Sequence, residues 1–345
     1  MSVIETIFCH YTLNGELSMK QTDTDNLSAY QSFLEQTVEK LKEENAYLKN
    51  VFKHSEAANK KLMESIRYAR LIQNSLLPNP DDVKRYAPEN FVIWMPRDII
   101  SGDLLHSELF DNGFVAAVID CTGHGVPGAF MTMIASTVMK RIIKDEKCQS
   151  PALTLKRLNA IVQSSLQQDT DFALSDNGMD AAICFVRPEK KLLTFAGARL
   201  PLHYLHHGEI HTIKGDRQSI GYRNSDPDFE YREHQIEIEK DMIFYMLTDG
   251  FTDQFGGQRN IPFGKTRFFN ILKENNHEPM DVQKEKLVAA FQAYKGNNEC
   301  QDDVVVVGFK VKDRIFGDES DGLIDRRKGF RDRSSDRIER RRNIL

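Results

Sequence analysis

From Leu27 onward a leucine recurs every seven residues, at Leu27, Leu34, Leu41, Leu48 and Leu62, with Ser55 alone out of step. Val38, Asn45, Phe52 and Ile66 fill the complementary positions of the same seam, and neither Gly nor Pro interrupts it. A 3.5-residue apolar repeat sustained this long has one local solution, a long helix with a stripe to bury. Two chains pairing along the stripe would bury it. The leucines would then be d positions, and Asn45 would be an a-position amide that gives up stability for register and a two-stranded partner. A helix laid back on its own domain is the other way to cover the stripe. In either case Glu39, Lys40, Lys42, Glu43 and Glu44 keep the outer faces soluble. Pro78 and Pro80 cannot continue the helix, which should stop at Leu76-Leu77. Residues 27–77 are thus expected as a coiled-coil and linker helix that makes a homodimer. Residues 1–26, with Val3, Ile4, Ile7 and Phe8 before an Asn14-Gly15 turn signal, suit a short hairpin.

Beyond Asn90 the pattern changes to mixed α and β. Apolar, β-branched runs occur at 91–94, 114–119, 181–186, 192–196, 202–205, 236–238, 242–247 and 304–311. Short Gly, Asn and Asp turns join most of them, which implies antiparallel sheets. Helical periodicity follows Pro127 and Ser150-Pro151 and returns around 263–273 and 280–294, the two prolines sitting where a first helical turn tolerates them. Residues 85–312 therefore read as one α+β body. Past Lys312 the apolar pattern stops, and residues 313–345 are expected to be a disordered basic tail.

Charge narrows the function. The net charge is −5, yet Arg326 to Arg342 holds nine Lys/Arg against three Asp/Glu, so the body is more acidic than the total suggests. An acidic body excludes nucleic acid as its main partner, and the tail lacks the interleaved aromatics of a stacking surface. No apolar run approaches the ~18 residues of a membrane span, so a cytoplasmic protein without membrane insertion is expected. The five cysteines (Cys9, Cys121, Cys148, Cys184, Cys300) are scattered and never form a Cys-x-x-Cys pair, which suggests reduced thiols.

Four aspartates lack a structural reason to be charged. Asp103 lies in Ser101-Gly102-Asp103. Asp120 ends an apolar strand and opens Asp120-Cys121-Thr122-Gly123-His124-Gly125. Asp249 ends another strand before Gly250, and Asp302 opens the run into Val304–Val307. Any one of them could simply cap a turn, as Asp before Gly often does. Four in one domain, at strand ends, repel one another and lose hydration, and hard divalent cations are the usual remedy.

In this order the motifs resemble the SpoIIE/RsbU-type branch of the metal-dependent Ser/Thr protein phosphatases. Ser101–Asp103, Asp120–Pro127, Thr248–Gly250 and Asp302–Val307 carry the resemblance, and the stretch Ser65–Pro78 is similar to the linker helix that leads into such domains. The resemblance implies an α-β-β-α sandwich of two antiparallel sheets flanked by helices, with two Mn²⁺ or Mg²⁺ ions at one edge. It makes Asp120 the bridge between the ions and the Cys121 carbonyl a ligand of one. It gives Asp249 and Asp302 to the other ion and has Asp103 act through water. A water made acidic between the ions would attack phosphorus, so no protein nucleophile is needed. His124 is then either a general acid or part of the Gly123–Gly125 turn. The family often has Asn or His after Ala-Gly, where this chain runs Ala-Gly-Ala198-Arg199, and Arg199 either faces the phosphate or sits on the surface. Asp176 and Asp180 are turn acids or holders of a weak third ion. The implied substrate is a phosphoserine or phosphothreonine on a regulatory protein, such as an anti-sigma-factor antagonist. The rival is a degenerate scaffold that binds a phosphoprotein without turnover.

Three further features point elsewhere and are set aside. Gly264-Lys265-Thr266 lacks the earlier glycine of a phosphate loop, since Arg259 stands there. His203, His206, His207 and His211 span a strand pair whose alternation sends neighbours to opposite faces, so a solvated hairpin is expected rather than a zinc site. Trp94, the single tryptophan, is expected in the core.

Overall fold

The computed structural model describes residues 21–76, 87–171 and 173–311. The proposed hairpin turn at Asn14-Gly15, Pro78, Pro80 and the basic tail lie outside these residues. The chain divides into two units that meet in sequence at Ile66 and Arg67.

The first unit is helical. Helix α1 runs Gln21–Asn74, its last turns belonging to the second unit. It begins before Leu27 because Gln21–Asn26 contains no breaker, and it closes in a turn in which Ser75 N and Leu76 N donate to the Ile72 and Gln73 carbonyls. The heptad stripe is bare: Leu27 is 64%, Leu48 55% and Leu62 59% exposed. Asn45 turns its amide back to the Leu41 carbonyl at 3.1 Å.

In the second unit β1 (Glu89–Met95), β2 (Asp103–Phe110) and β3 (Gly113–Cys121) lead to α2 (Gly125–Lys140), which closes in a π-helical turn, and to α3 (Pro151–Ser165). Strands β4 (Met179–Arg187), β5 (Leu192–Ala198), β6 (Leu202–His206), β7 (Glu209–Ile213), β8 (His234–Glu237) and β9 (Ile243–Leu247) follow. A short α4 (Gly250–Asp253), the minor strands β10 (Phe255–Gly256) and β11 (Ile261–Pro262), α5 (Lys265–Glu274), α6 (Met280–Lys295) and β12 (Val304–Lys310) complete it. Pro151 is tolerated at the start of α3 because its missing N–H would have no helical partner, while the Ser150 hydroxyl caps the helix by accepting from Leu153 N at 3.2 Å.

Two five-stranded antiparallel sheets result, ordered β2-β3-β4-β5-β8 and β1-β12-β9-β6-β7. Strand β3 shows how they stack. Val115, Ala117 and Ile119 point to a core shared with α2 and α3, whereas Phe114, Ala116 and Val118 point to a core between the sheets. The second sheet repeats this, sending Tyr245, Val304 and Val306 toward α5 and α6. The layers are therefore α-β-β-α, and strands buried on both faces read as unbroken apolar runs, which is why they were visible in the sequence. Strands β2 and β7 were not. The first is part-buried along its outer half and the second is an edge strand with little buried surface. Trp94 packs against the layer between the sheets and donates Nε1 to the Asp103 carbonyl at 3.3 Å.

Phe309 anchors that inter-sheet layer, stacked on Phe244 at 5.5 Å and edge-on to Phe114 at 5.7 Å. Phe309→Ala should cost about 3–5 kcal/mol in urea unfolding. A loss under about 1 kcal/mol would contradict this assignment of the core.

Candidate metal centre

The strand register places three carboxylates side by side. Asp103 pairs with Asp120 across β2 and β3, and Asp120 pairs with Asp180 across β3 and β4. Like charges directly opposite on a sheet are destabilising. The second sheet brings Asp249, just past β9, and Asp302 and Asp303, just before β12, to the same edge. Burial, then Asp249 and Asp302, push the Asp120 carboxyl well above the usual range. Burial followed by Asp120 does the same to Asp103. Asp249 itself opens to solvent, yet the groups crowded around it cost its charge hydration, and with Asp253 and Asp302 they raise it to about 6. Among the described residues, no three of these carboxylates bring ligand oxygens within 4.8 Å of one another.

The aspartates are not equivalent. Asp303 is a scaffold, accepting Gly102 N at 2.6 Å and Arg97 N at 2.8 Å. One oxygen of buried Asp103 accepts the Thr248 hydroxyl at 2.6 Å, and that hydroxyl in turn accepts Val305 N at 2.9 Å, so a single threonine ties the sheets together at the site. Asp302 is exposed, and its Oδ1 accepts Asp303 N at 2.8 Å. Backbone approach sets the rest: a Cβ at Gly102 would stand 2.2 Å from the Gly123 carbonyl, so only glycine fits.

Cys121 N donates to the Gly102 carbonyl at 3.1 Å, and its buried thiol is pushed well up by burial and by Asp120, which removes it as a nucleophile. The four described cysteines are all free thiols. His124 is exposed at the start of α2 with Nδ1 2.8 Å from Asp98 Oδ2, a partner 26 residues away in the chain. Arg199, in a left-handed conformation, lies near enough to Asp180 to lower its pKa against the larger effect of burial. Asp176 accepts Arg223 N at 2.9 Å, a contact between segments distant in sequence. Tyr222, unremarked in the sequence, places its hydroxyl 2.6 Å from that of Thr122, two residues past Asp120. Lys265 opens α5 and lines a cleft with Asp249, Thr252 and Phe268, so the Gly264-Lys265 pair belongs to a helix start and not to a phosphate loop.

The least expected residue is Gln73, near the end of α1. It is 3% exposed, donates Nε2 to the Ser101 carbonyl at 2.6 Å and to Thr132 Oγ1 at 3.0 Å, and accepts Ser101 N at 3.0 Å. The loop that presents Asp103 is thus held by the long helix and by α2 together.

A family model described as Stage II sporulation protein E (SpoIIE) matches residues 111–312. This chain belongs to the SpoIIE family. The SiaA-PP2C domain of Pseudomonas aeruginosa is similar to it at 34% identity and a TM-score of 0.67, over 74% of this chain and 99% of that one. The PP2C phosphatase domain with a regulatory fragment of SpoIIE from Bacillus subtilis aligns at 15% identity and a TM-score of 0.51, over 65% of this chain and 63% of that one. The RsbU and RsbW domains of a Mycobacterium tuberculosis protein align at 14% identity and a TM-score of 0.51, over 66% and 61%. The last two likenesses are of fold alone. No curated protein sequence matches the chain. The architecture is that of a PP2C-type phosphatase domain, and among the described residues no helix is long and apolar enough to cross a membrane.

The donor set of this SpoIIE-family site fits hard divalent ions: carboxylate oxygens, raised in pKa by burial and by one another, with main-chain carbonyls alongside. Two outcomes follow. In metal-free protein, the folded state keeps a proton on Asp249 that the unfolded chain releases, so stability should fall as pH rises from 3.8 to about 6. Mg²⁺ added at neutral pH should restore it, and Asp249→Asn should flatten the slope; a flat wild-type urea midpoint across that window would count against the crowding. Gln73→Ala leaves buried Ser101 main-chain groups unpaired and should cost roughly 1–3 kcal/mol in the same unfolding assay. No loss would mean the loop is held by other contacts.

Proposed function

We propose that the chain is a metal-dependent protein serine/threonine phosphatase acting on a phosphorylated regulatory protein. The observation that carries this reading is the convergence of Asp103, Asp120, Asp249 and Asp302 from both sheets on one edge, in a chain of a phosphatase-fold family. Asp120 would be the ligand common to two ions, with the Cys121 carbonyl beside it. Asp249 and Asp302 would hold the second ion, and Asp103, one oxygen already engaged by Thr248, would act through water. When bound, Mn²⁺ or Mg²⁺ supplies Lewis acidity toward the phosphate oxygens and lowers the pKa of water. His124, oriented by Asp98, delivers a proton to the departing serine or threonine oxygen. Arg199 steers the phosphate at the Asp180 side of the site. The substrate class, a small phosphoserine or phosphothreonine switch protein, rests on the family resemblance.

The bare heptad stripe supports a parallel dimer through residues 27–77, because an exposed a/d seam of this length is covered most simply by its own copy. Light scattering should give twice the 39.6 kDa monomer mass, and deletion of residues 1–64 should abolish or weaken association. A monomer at micromolar concentration would refute the pairing.

Turnover of a phosphopeptide should require Mn²⁺ or Mg²⁺, stop with a chelator, and fall roughly 100-fold or more in Asp120→Asn, the scale for removing a fixed electrostatic stabiliser. His124→Gln should slow phosphoserine far more than an aryl phosphate, whose leaving group needs no proton. Undiminished turnover by Asp120→Asn would reject the assignment. Phosphopeptide binding without metal-dependent turnover would make the chain a scaffold.

A further inference from the structure

A second group of ligating side chains lies at the other end of the fold. Among the described residues, His206, His207 and Glu239 bring one ligand atom each to within 4.8 Å of one another. The local backbone explains how neighbouring histidines come together. Strand β6 ends at His206, and the two-residue turn to Glu209 puts His207 at φ 49° and Gly208 at φ 77°, both in the left-handed region. Two such residues make the hairpin turn that matches strand twist. Alternation therefore ends at His206, and the two imidazole rings face each other with centroids 3.8 Å apart. The other two histidines of the cluster are accounted for: His203 is buried with Nδ1 2.8 Å from Thr212 Oγ1, and His211 stacks on Tyr204 at 4.9 Å. His206 is not. Its Nε2 is shielded from solvent without a hydrogen-bond partner and stands 3.6 Å from Glu239 Oε2. A shielded ring nitrogen in that position calls for a ligand.

We propose that His206, His207 and Glu239 bind a zinc-class transition-metal ion. Two imidazole nitrogens and one carboxylate oxygen form a three-ligand set that leaves a fourth tetrahedral position for water. In such a site, with bonds of about 2.1 Å, ligand atoms stand about 3.4 Å apart, so small side-chain movements close the group around an ion. This ion is separate from those of the carboxylate edge. Leu205 pairs with Ile243 at the start of β9, whereas Asp249 lies past the end of that strand, about 20 Å away at ~3.3 Å per residue. Glu239 belongs to the segment that passes from β8 in one sheet to β9 in the other. The ion would therefore clip the β6–β7 hairpin to the crossover between the sheets, at the edge opposite the phosphatase site.

The test is a calorimetric titration of ZnCl₂ into the full-length chain held in excess Mg²⁺, so that the carboxylate edge is already engaged. Wild type and Asp120→Asn should each bind one zinc per chain at this site and gain thermal stability from it. His206→Ala and His207→Ala should each weaken binding by more than roughly tenfold, since even outer-shell changes at zinc sites cost about that much. Glu239→Gln, exposed and nearly isosteric, should weaken it while leaving Mg²⁺-dependent phosphatase turnover unchanged. If His206→Ala does not fold, the exposed His207 and Glu239 variants carry the test. Zinc binding unchanged in those variants, or absent from the wild type under excess Mg²⁺, would overturn the proposal.

Discussion

The burial of mutually repelling carboxylates is the constraint on which this site depends. Six aspartates, Asp103, Asp120, Asp180, Asp249, Asp302 and Asp303, meet where two packed sheets end, and burial together with their own charges holds most of them above the ordinary carboxylate range. A fold selected for stability alone would not collect them. The surrounding structure is spent on keeping them there: Thr248 spans the sheets, Asp303 gives up its oxygens to main-chain donors, and Gly102 and Gly128 let the Gly123 carbonyl approach more closely than any side chain allows.

How much of this could be read from the sequence follows from what each residue does. Strands buried on both faces, such as Phe114–Ile119 and Val304–Val307, announce themselves because every position is apolar. The heptad stripe announces itself because its seven-residue period holds at every step but Ser55. The four motif aspartates stand out because a charge beside a buried strand needs a reason. The partners of those residues were not legible. Gln73 is one polar residue on a long polar helix, and only its burial and three hydrogen bonds reveal it. Asp98, Thr248 and Tyr222 are likewise ordinary until long-range packing sets them beside His124, Asp103 and Thr122. The histidine cluster shows a different limit: strand alternation correctly separates His203 from its neighbours' roles, but it does not apply to His207, which lies in a left-handed turn.

The Gln73 contacts also connect the two readings of the chain. The helix whose heptads suggest dimerisation ends, within the second unit, on the loop that carries Asp103. A change in the last turn of α1 is thereby coupled by hydrogen bonds to one acid of the carboxylate edge and to α2, whose N-cap is His124. That coupling needs no long pathway, since one side chain touches both elements.

The central claim is that the carboxylate edge exists to hold divalent ions. Crystals soaked in Mn²⁺ and measured at the manganese absorption edge test it most directly. The account predicts two anomalous peaks at this edge, one on either side of Asp120 and one of them shared with Asp249 and Asp302, with oxygen ligands at about 2.0–2.6 Å. An edge without anomalous density in crystals that bind Mn²⁺ elsewhere would contradict it.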